Sequence, residues 1–333
     1  MRKFITTRIY NCGGTAFSRG ALFQIEAEKE NLEHLSFCYI DTSGSDLHEN
    51  IKKEELMLIN GLDGAGKDRR VIYPQIVPHV PAILSQFPPE DFNIIFHSAG
   101  GGSGSSIGPA IAKKFLDEGK DFVVIMTGSI GSKIEVKNSI GTIQTYRNFA
   151  AKAGRNVMAY YRENNRERSR TDVNNDIKSA LFLTSLVLSS ENKGIDSADL
   201  KNLINFDKVV GCTPSLSSFD FHCCDVQLPS HLVPQAVATL FAYGESSADD
   251  FEKEESIFEY RADGFLSERR TKEINGEVLR TPINMVVYDG DFQQRVADLE
   301  IHLQRFEAIS NSRTLTPVSL NVVEADNDDG VVF

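Results

Sequence analysis

Apolar and polar positions alternate along the first half of the chain in a pattern that predicts short buried strands separated by helices. The runs predicted as strands are residues 4–11, 35–40, 92–96, 122–126 and 157–161. Helical spacing follows the third run, where Ile107, Ile111 and Phe115 lie on one face. Strands that alternate with helices are typical of an α/β fold with a parallel sheet, in which ligands bind at the carboxyl ends of the strands.

The second half of the chain has a different pattern. Residues 171–190 carry apolar side chains on nearly every face of a predicted helix, which indicates a buried helix joining two halves of the molecule. A short helix is predicted at 200–206. The elements predicted beyond it are strands at Val209–Val210, 226–228 and 282–288, an amphipathic helix at 292–309 and an extended segment at 314–323. We interpret this part as a second, smaller domain of strands and helices.

Length and composition narrow the function classes. The chain has 333 residues, of which 41% are hydrophobic, enough for one large or two ordinary domains. The net charge is −12 and no basic block is present, which argues against duplex nucleic acid as the main partner. No apolar run has the length of a membrane span, and the first residues lack the apolar core of a signal peptide.

The cysteines indicate a reducing compartment. Five are present, an odd number, and none are in C-x-x-C spacing, so we expect free thiols in a cytoplasmic protein. Zinc ligation by His222, Cys223 and Cys224 is a weak alternative, because adjacent cysteines lack the usual ligand spacing. We therefore assign no residue as a metal ligand.

Residues 98–109 read Ser-Ala-Gly-Gly-Gly-Ser-Gly-Ser-Ser-Ile-Gly-Pro and lie between a predicted strand and a predicted helix. Glycine lets the backbone approach a ligand closely, and a helix N-terminus offers unpaired N–H groups. Together they predict a cradle for phosphate, with hydroxyl groups from Ser103, Ser105 and Ser106 as further donors. The candidate binding residues in this segment are Gly100, Gly101, Gly102, Ser103, Gly104 and Ser105.

Three other loops are expected to converge on the same ligand, and the first two of them follow predicted strands. They contain Gly13, Gly14 and Thr15, then Asp41 and Thr42, then the glycine loop at 60–70. The last loop includes a G-x-x-x-x-G-K sequence at 61–67, but Asp68 stands where a P-loop requires Ser or Thr. The alternatives are a surface loop, or a loop whose backbone N–H groups contact terminal phosphates.

Basic residues and prolines follow this glycine loop. Lys67, Arg69 and Arg70 either contact phosphates or form a solvated charged face. Prolines at 74, 78 and 81 predict that a helix here starts late or is interrupted.

A dinucleotide fingerprint is the alternative for the cradle. Gly102, Ser103 and Gly104 begin a G-x-G, but three residues rather than two separate Gly104 from Gly108. That fingerprint also follows the first strand of its unit, whereas several strands precede this segment. A dinucleotide-dependent oxidoreductase therefore remains the second hypothesis for function.

The segment 98–109 resembles the signature of the tubulin/FtsZ superfamily, Gly-Gly-Gly-Thr/Ser-Gly-Ser/Thr-Gly, with Ser106 in place of the last glycine. The chain is most similar to the divergent phage tubulins, over nearly its whole length. The resemblance implies binding of GTP and GDP with Mg²⁺. It assigns the three loops above to the nucleotide, Glu135 to the sugar side, and Asn175, with Asn164 or Asn165, to the guanine edge. From the third loop it adds Gly64, Ala65 and Gly66.

The resemblance also implies catalysis and assembly. Asp196 and Asp199 match the family's D-x-x-D, whose carboxylates act on the nucleotide of the next subunit, although Asp196 or Ser197 also fits a plain helix cap. A family asparagine is replaced by Gly194. The implied partner is the chain itself, in a head-to-tail filament that positions phage DNA in the host cytoplasm, without membrane or direct nucleic-acid contact. A structural filament without hydrolysis is the rival.

The resemblance implies four parts of the chain. They are a GTP-binding domain (1–170), a central helix with the catalytic loop (171–206), a second domain (207–320) and an acidic tail (321–333). The tail is expected to contact neighbouring subunits.

Overall fold

A computed structural model describes most of the chain. The described residues are 5–62, 66, 68–189, 192–223, 232–244, 258–271, 273–274, 277–278, 281–312 and 330–332. The strands are β1 (Thr7–Cys12), β2 (Leu35–Asp41), β3 (Leu56–Leu58), β4 (Phe92–Ser98), β5 (Phe122–Ser129), β6 (Val157–Asn164), β7 (Leu216–Cys223), β8 (Val233–Phe241), β9 (Tyr260–Phe265), β10 (Glu273–Ile274), β11 (Glu277–Val278) and β12 (Ile283–Asp289).

The helices alternate with these strands in the first half, as predicted. They are α1 (Gly14–Lys29), α2 (Arg69–Ile76), α3 (Val80–Gln86), α4 (Gly104–Asp117), α5 (Lys133–Ala153), α6 (Arg170–Val187), α7 (Ser197–Ile204), α8 (Phe206–Val210), α9 (Glu268–Thr271) and α10 (Asp291–Asn311). A single 3₁₀ turn, Val77–His79, separates α2 from α3, so the proline-rich segment is interrupted but does not start late.

One ten-stranded sheet runs through the molecule in the order β3-β2-β1-β4-β5-β6-β7-β12-β8-β9. The strands from β3 to β7 in this order are parallel, and β12 is antiparallel to both of its neighbours. The predicted α/β class is confirmed. Four strands of the predicted second domain, β7, β8, β9 and β12, continue the same sheet through the parallel pairing of β6 with β7, whereas β10 and β11 form a separate two-stranded sheet.

Helices cover both faces of the sheet and form two cores. Buried side chains of α2, α3, α4, α5 and α10 pack on one face. Those of α1, α6, α7 and α8 pack on the other. The predicted long buried helix corresponds to α6, and from Ala180 to Val187 only Leu183 among its residues is not buried.

Some predicted elements differ from the structure. The strand predicted at Val209–Val210 is wrong, because these residues end α8, and Gly211 terminates that helix at φ 70°. The strand at 226–228 and the extended segment at 314–323 lie outside the described residues. No helix in the described part of the chain is long and apolar enough to cross a bilayer.

Candidate functional site

The loops that follow β1, β2 and β4 meet around a cavity of about 410 Å³. Because these strands are parallel neighbours, their carboxyl ends lie at one edge of the sheet. The cavity is lined by Cys12, Gly13, Gly14, Thr15, Asp41, Ser43, Ser45, Asp46, Gly66, Ser98, Gly101, Gly102, Ser103 and Gly104. Most predicted phosphate-binding residues therefore share one site. Ser43, Ser45 and Asp46 were not assigned to the ligand from the sequence.

Two glycines allow the loops to approach this closely. Gly13 has φ 82°, and a Cβ placed on it would lie 2.6 Å from the backbone N of Gly104. A Cβ on Gly104 would in turn lie 2.7 Å from the carbonyl oxygen of Cys12. The backbone N–H groups at the start of α4 and the loop after β1 are consequently held against one another, as an anion cradle requires.

Side chains of α5 hold the glycine turn at residues 99–101 through hydrogen bonds to its carbonyl oxygens. The amide of Asn138 donates hydrogen bonds of 3.2 Å to the carbonyl oxygens of both Gly100 and Gly101. The hydroxyl of Thr142 donates to the carbonyl of Ala99 at 3.0 Å. Sequence reasoning missed Asn138. Its signal was a polar residue at a helix position that faces the apolar core.

The three serines of the cradle have different roles. The hydroxyls of Ser103 and Thr42 lie 2.7 Å apart and link the cradle to the loop after β2. The hydroxyls of Ser105 and Ser106, by contrast, donate to the carbonyls of Gly101 and Gly102 at 2.5 and 3.0 Å. Both side chains are fully buried, so the expectation that these two hydroxyls face the ligand is wrong.

The carboxylates of Asp41 and Asp46 line the cavity of about 410 Å³, which we call the phosphate cavity. Asp41 is 4% exposed, and burial raises the pKa of its carboxyl group above the usual value. Asp46 lies over Gly14 at the start of α1 and raises the pKa of Asp41 further. One or two carboxylates together with phosphate oxygens suit Mg²⁺, so this pair fits a nucleotide-bound magnesium ion.

The residues predicted for the sugar and base, Glu135, Asn164 and Asn175, are not among those that line this cavity. Glu135 occupies the first turn of α5, where its carboxylate accepts a 3.0 Å hydrogen bond from Ser129. Asn164 ends β6 next to Ser129, and Asn175 is exposed on the second turn of α6. Their contacts with a nucleotide stay predictions, and Gly64 and Ala65 lie outside the described residues.

The two described basic residues after the glycine loop, Arg69 and Arg70, do not line the phosphate cavity. Arg69 is 2% exposed and its guanidinium points inward, so neither a phosphate contact nor a solvated face describes it. Arg70 pairs with Asp68 at 3.3 Å, and the Asp68 side chain caps α2 through the N–H of Arg70. Lys67 lies outside the described residues.

A second cavity, of about 490 Å³, opens at the opposite edge of the sheet. It lies beside the amino ends of β1, β4 and β5, at Ile5, Glu90–Phe92 and Gly119–Asp121. The loop Gly194–Ser197 forms another wall. The two predicted catalytic aspartates are thus at this edge, while the phosphate cavity is at the other.

Asp196 and Asp199 cap the helix α7 reciprocally. Asp196 Oδ1 accepts from the N–H of Asp199 at 3.0 Å, and Asp199 Oδ2 accepts from the N–H of Asp196 at 3.0 Å. Tyr260 of β9 donates its hydroxyl to Asp199 Oδ1 at 3.2 Å, and burial, with smaller effects of both carboxylates, raises the pKa of that phenol. Both aspartates therefore cap α7, and in that position Asp196 is exposed to solvent and Asp199 is half-exposed.

No protein-family model matches the chain. A phage tubulin-like protein of Pseudomonas phage PhiPA3 is 30% identical to it over 239 residues, which cover 72% of this chain and 73% of the relative. The chain belongs to the phage tubulin-like proteins. A second member, from Pseudomonas phage phiKZ, is 31% identical over 220 residues, which cover 62% of this chain and 65% of the relative, a little under two thirds of its length.

Solved structures of phage tubulins share the fold of this phage tubulin-like chain. The protofilament of TubZ from bacteriophage phiKZ superposes with a TM-score of 0.81 at 25% identity, over 99% of both chains. The phage tubulin PhuZ with GDP superposes with a TM-score of 0.80 at 20% identity, over 99% of this chain and all of that one. The predicted superfamily is confirmed, and nothing among these relatives supports the dinucleotide-dependent oxidoreductase.

Proposed function

We propose that this phage tubulin-like chain binds GTP and polymerises head to tail, and that it hydrolyses GTP at the interface between subunits. The observation that carries the proposal is the separation of two half-sites. The phosphate cradle is at the carboxyl edge of the sheet, whereas Asp196 and Asp199 are at the amino edge. Two copies stacked in the same orientation bring the acids of one onto the cradle of the next.

Each half-site supplies a different part of the reaction. The backbone N–H groups of the cradle bind the phosphates. Asp41 and Asp46 would hold Mg²⁺, which would offset the charge of the phosphates. The carboxylates of the next subunit orient or deprotonate the attacking water, and such general-base assistance contributes about 10²–10⁴-fold to a rate. Tyr260 keeps Asp199 in place through its 3.2 Å hydrogen bond.

Assembly follows from the same geometry. Contacts between opposite edges are heterologous, and a heterologous contact that does not close into a ring generates an open helical filament. Relatives include the TubZ protofilament of phage phiKZ and the PhuZ201 filament. We infer, from the resemblance to phage tubulins, that the filament positions phage DNA in the host cytoplasm.

Phosphate release measured against protein concentration tests the proposal. We expect the rate of phosphate release per subunit to rise steeply once filaments form. The protein should pellet with GTP and with a slowly hydrolysed GTP analogue, but not with ATP. A rate per subunit that is constant on dilution would contradict hydrolysis at an interface. Assembly without phosphate release would favour the structural filament. Binding of NAD or NADP in place of GTP would favour the oxidoreductase.

We also propose that the C-terminal tail strengthens the filament by contacting a neighbouring subunit. Residues 330–332 pack against α5 of their own chain, so the segment available to a neighbour is 313–329, which spans at most about 60 Å when fully extended. Deleting 324–333 should raise the protein concentration needed for polymerisation severalfold, measured by pelleting, because the deletion removes both the contact with the neighbour and the residues 330–332 that pack on the chain's own α5. An unchanged threshold would show that the tail acts elsewhere.

A further inference from the structure

Arg69 is a buried cation that joins two distant parts of the chain. Its Nε donates to the carbonyl oxygen of Ser105 at 3.2 Å, and its Nη1 donates to the carbonyl oxygen of Val332 at 3.0 Å. Burial lowers the pKa of the guanidinium to about 10, so it is charged at neutral pH. A buried charge requires its hydrogen-bond partners, so each of these carbonyl groups matters to the position of the side chain.

Residues 330–332 lie in a built site on α5. Thr145 Oγ1 accepts from the N–H of Val332 at 3.1 Å, and the Asn148 amide donates to the carbonyl of Gly330 at 3.0 Å. Val331 is 4% exposed, so its side chain belongs to the core. We call this site the C-terminal seat, formed by Arg69, Gly141, Thr145, Asn148 and Lys152.

The C-terminal seat depends on the absence of a Cβ at Gly141. A Cβ on Gly141 would lie 2.6 Å from Arg69 Nη1 and 3.0 Å from the carbonyl oxygen of Val332. Any other residue at this helix position would push the guanidinium and the tail apart. Glycine within α5 therefore permits the contact between Arg69 and the end of the chain.

A short series of hydrogen bonds connects the seat to the phosphate cradle. Arg69 holds the carbonyl of Ser105 on the first turn of α4, and the hydroxyl of Ser105 holds the carbonyls of Gly101 and Gly102 at 2.5 and 3.1 Å. Arg69 is also the first residue of α2, directly after the glycine loop whose Gly66 lines the cavity. Arg69 is therefore connected to the cradle backbone through Ser105, and to the glycine loop through the start of α2.

We propose that Arg69 is a positioning residue that couples occupancy of the C-terminal seat to nucleotide affinity. With the chain's own residues 330–332 seated, Arg69 has its full set of acceptors and holds the cradle in its binding geometry. When the seat is empty, the guanidinium turns toward water and releases Ser105. Coupling between two sites is reciprocal, so bound nucleotide also favours the seated tail. The inference rests on the proposed function for the identity of the ligand.

Fluorescent GDP provides the test, at protein concentrations below those that give filaments. Val331→Asp empties the seat by placing a charge in the core, and we expect it to weaken GDP binding about fivefold or more. In an Arg69→Met background the same change should have no further effect. Ile309→Asp, at an α10 position that is 52% exposed, adds the same charge and should leave affinity unchanged.

Two further measurements keep the test decisive. Amide exchange at Val332 should slow when GDP binds to the wild type, but not when it binds to Arg69→Met. If Arg69→Met does not fold, Thr145→Val is the second variant. It removes the acceptor for the N–H of Val332 and the 3.5 Å acceptor for Arg69 Nη2, while leaving the bond between Arg69 and Ser105 possible. It should weaken GDP binding as Val331→Asp does. Equal GDP affinity in Val331→Asp and wild type would overturn the coupling alone, whereas a wild type that binds no GDP would also overturn the proposed function.

Discussion

Asp199→Asn is expected to lower the GTPase rate of assembled protein by about 10²–10⁴-fold while leaving GTP binding unchanged. Asparagine retains an oxygen that accepts from the N–H of Asp196, so the cap on α7 persists. What disappears is the basic carboxylate offered to the water near the neighbour's phosphate. Filaments of this variant should therefore be long-lived, as measured by phosphate release and by light scattering after a limited addition of GTP.

A control variant distinguishes the loss of a catalytic carboxylate from the mere loss of one negative charge. Asp298→Asn removes one negative charge from an exposed position on α10, where the carboxylate bonds only to Gln294 in the described structure. It should hydrolyse GTP at the wild-type rate. Normal turnover in Asp199→Asn would exclude Asp199 from the mechanism.

Gly13→Ala is expected to weaken nucleotide binding about 100-fold, which is about 2.7 kcal/mol of binding free energy. The substitution places a Cβ 2.6 Å from the N and 2.8 Å from the Cα of Gly104, which are backbone atoms at the cradle. The loop after β1 must then move away from α4, and the phosphate loses N–H groups. Titration with fluorescent GDP measures the loss, and circular dichroism confirms that the variant is folded.

Gly154→Ala is the control for backbone strain. Gly154 also has a positive φ, 59°, but a Cβ there meets no atom within 4 Å. It should cost about 1 kcal/mol of folding stability and no nucleotide affinity. If Gly13→Ala and Gly154→Ala bind GDP equally well, the close approach of the two loops is not what forms the cradle.

Mixing the two variants tests the shared site directly. Asp199→Asn has an intact cradle and Gly13→Ala has intact acids, so each lacks what the other provides. Hydrolysis should return on mixing, where an Asp199→Asn cradle meets the acids of a Gly13→Ala copy. Failure of every mixture to hydrolyse GTP, with both variants folded and copolymerised, would contradict the arrangement.

Local patterns predicted the α/β fold and the phosphate cavity because both depend on short stretches of sequence. Apolar runs mark buried strands, and glycines after them mark loops that approach a ligand. The same reasoning misassigned Val209–Val210, although Gly211 carried the signal of a helix end. Two valines have strand propensity, but packing of the preceding Phe206 against the core determines a helix here.

Long-range contacts explain what the sequence did not reveal. Arg69 is buried because the chain returns to it 263 residues later, at Val332. The insertion of β12 between β7 and β8 similarly places a late strand between two earlier ones. No periodicity encodes such neighbours, so the roles of Arg69 and Asn138 required the folded structure.

The placement of cradle and acids on opposite edges of the sheet makes the two tips of any finite stack chemically unlike. One terminal copy presents a loaded nucleotide that no neighbour attacks, and the other presents carboxylates with no substrate. Under the proposed mechanism, the GTP at the first tip stays uncleaved while the GTP in the interior of the stack is hydrolysed. The addition and loss of subunits must therefore differ between the two ends of the stack.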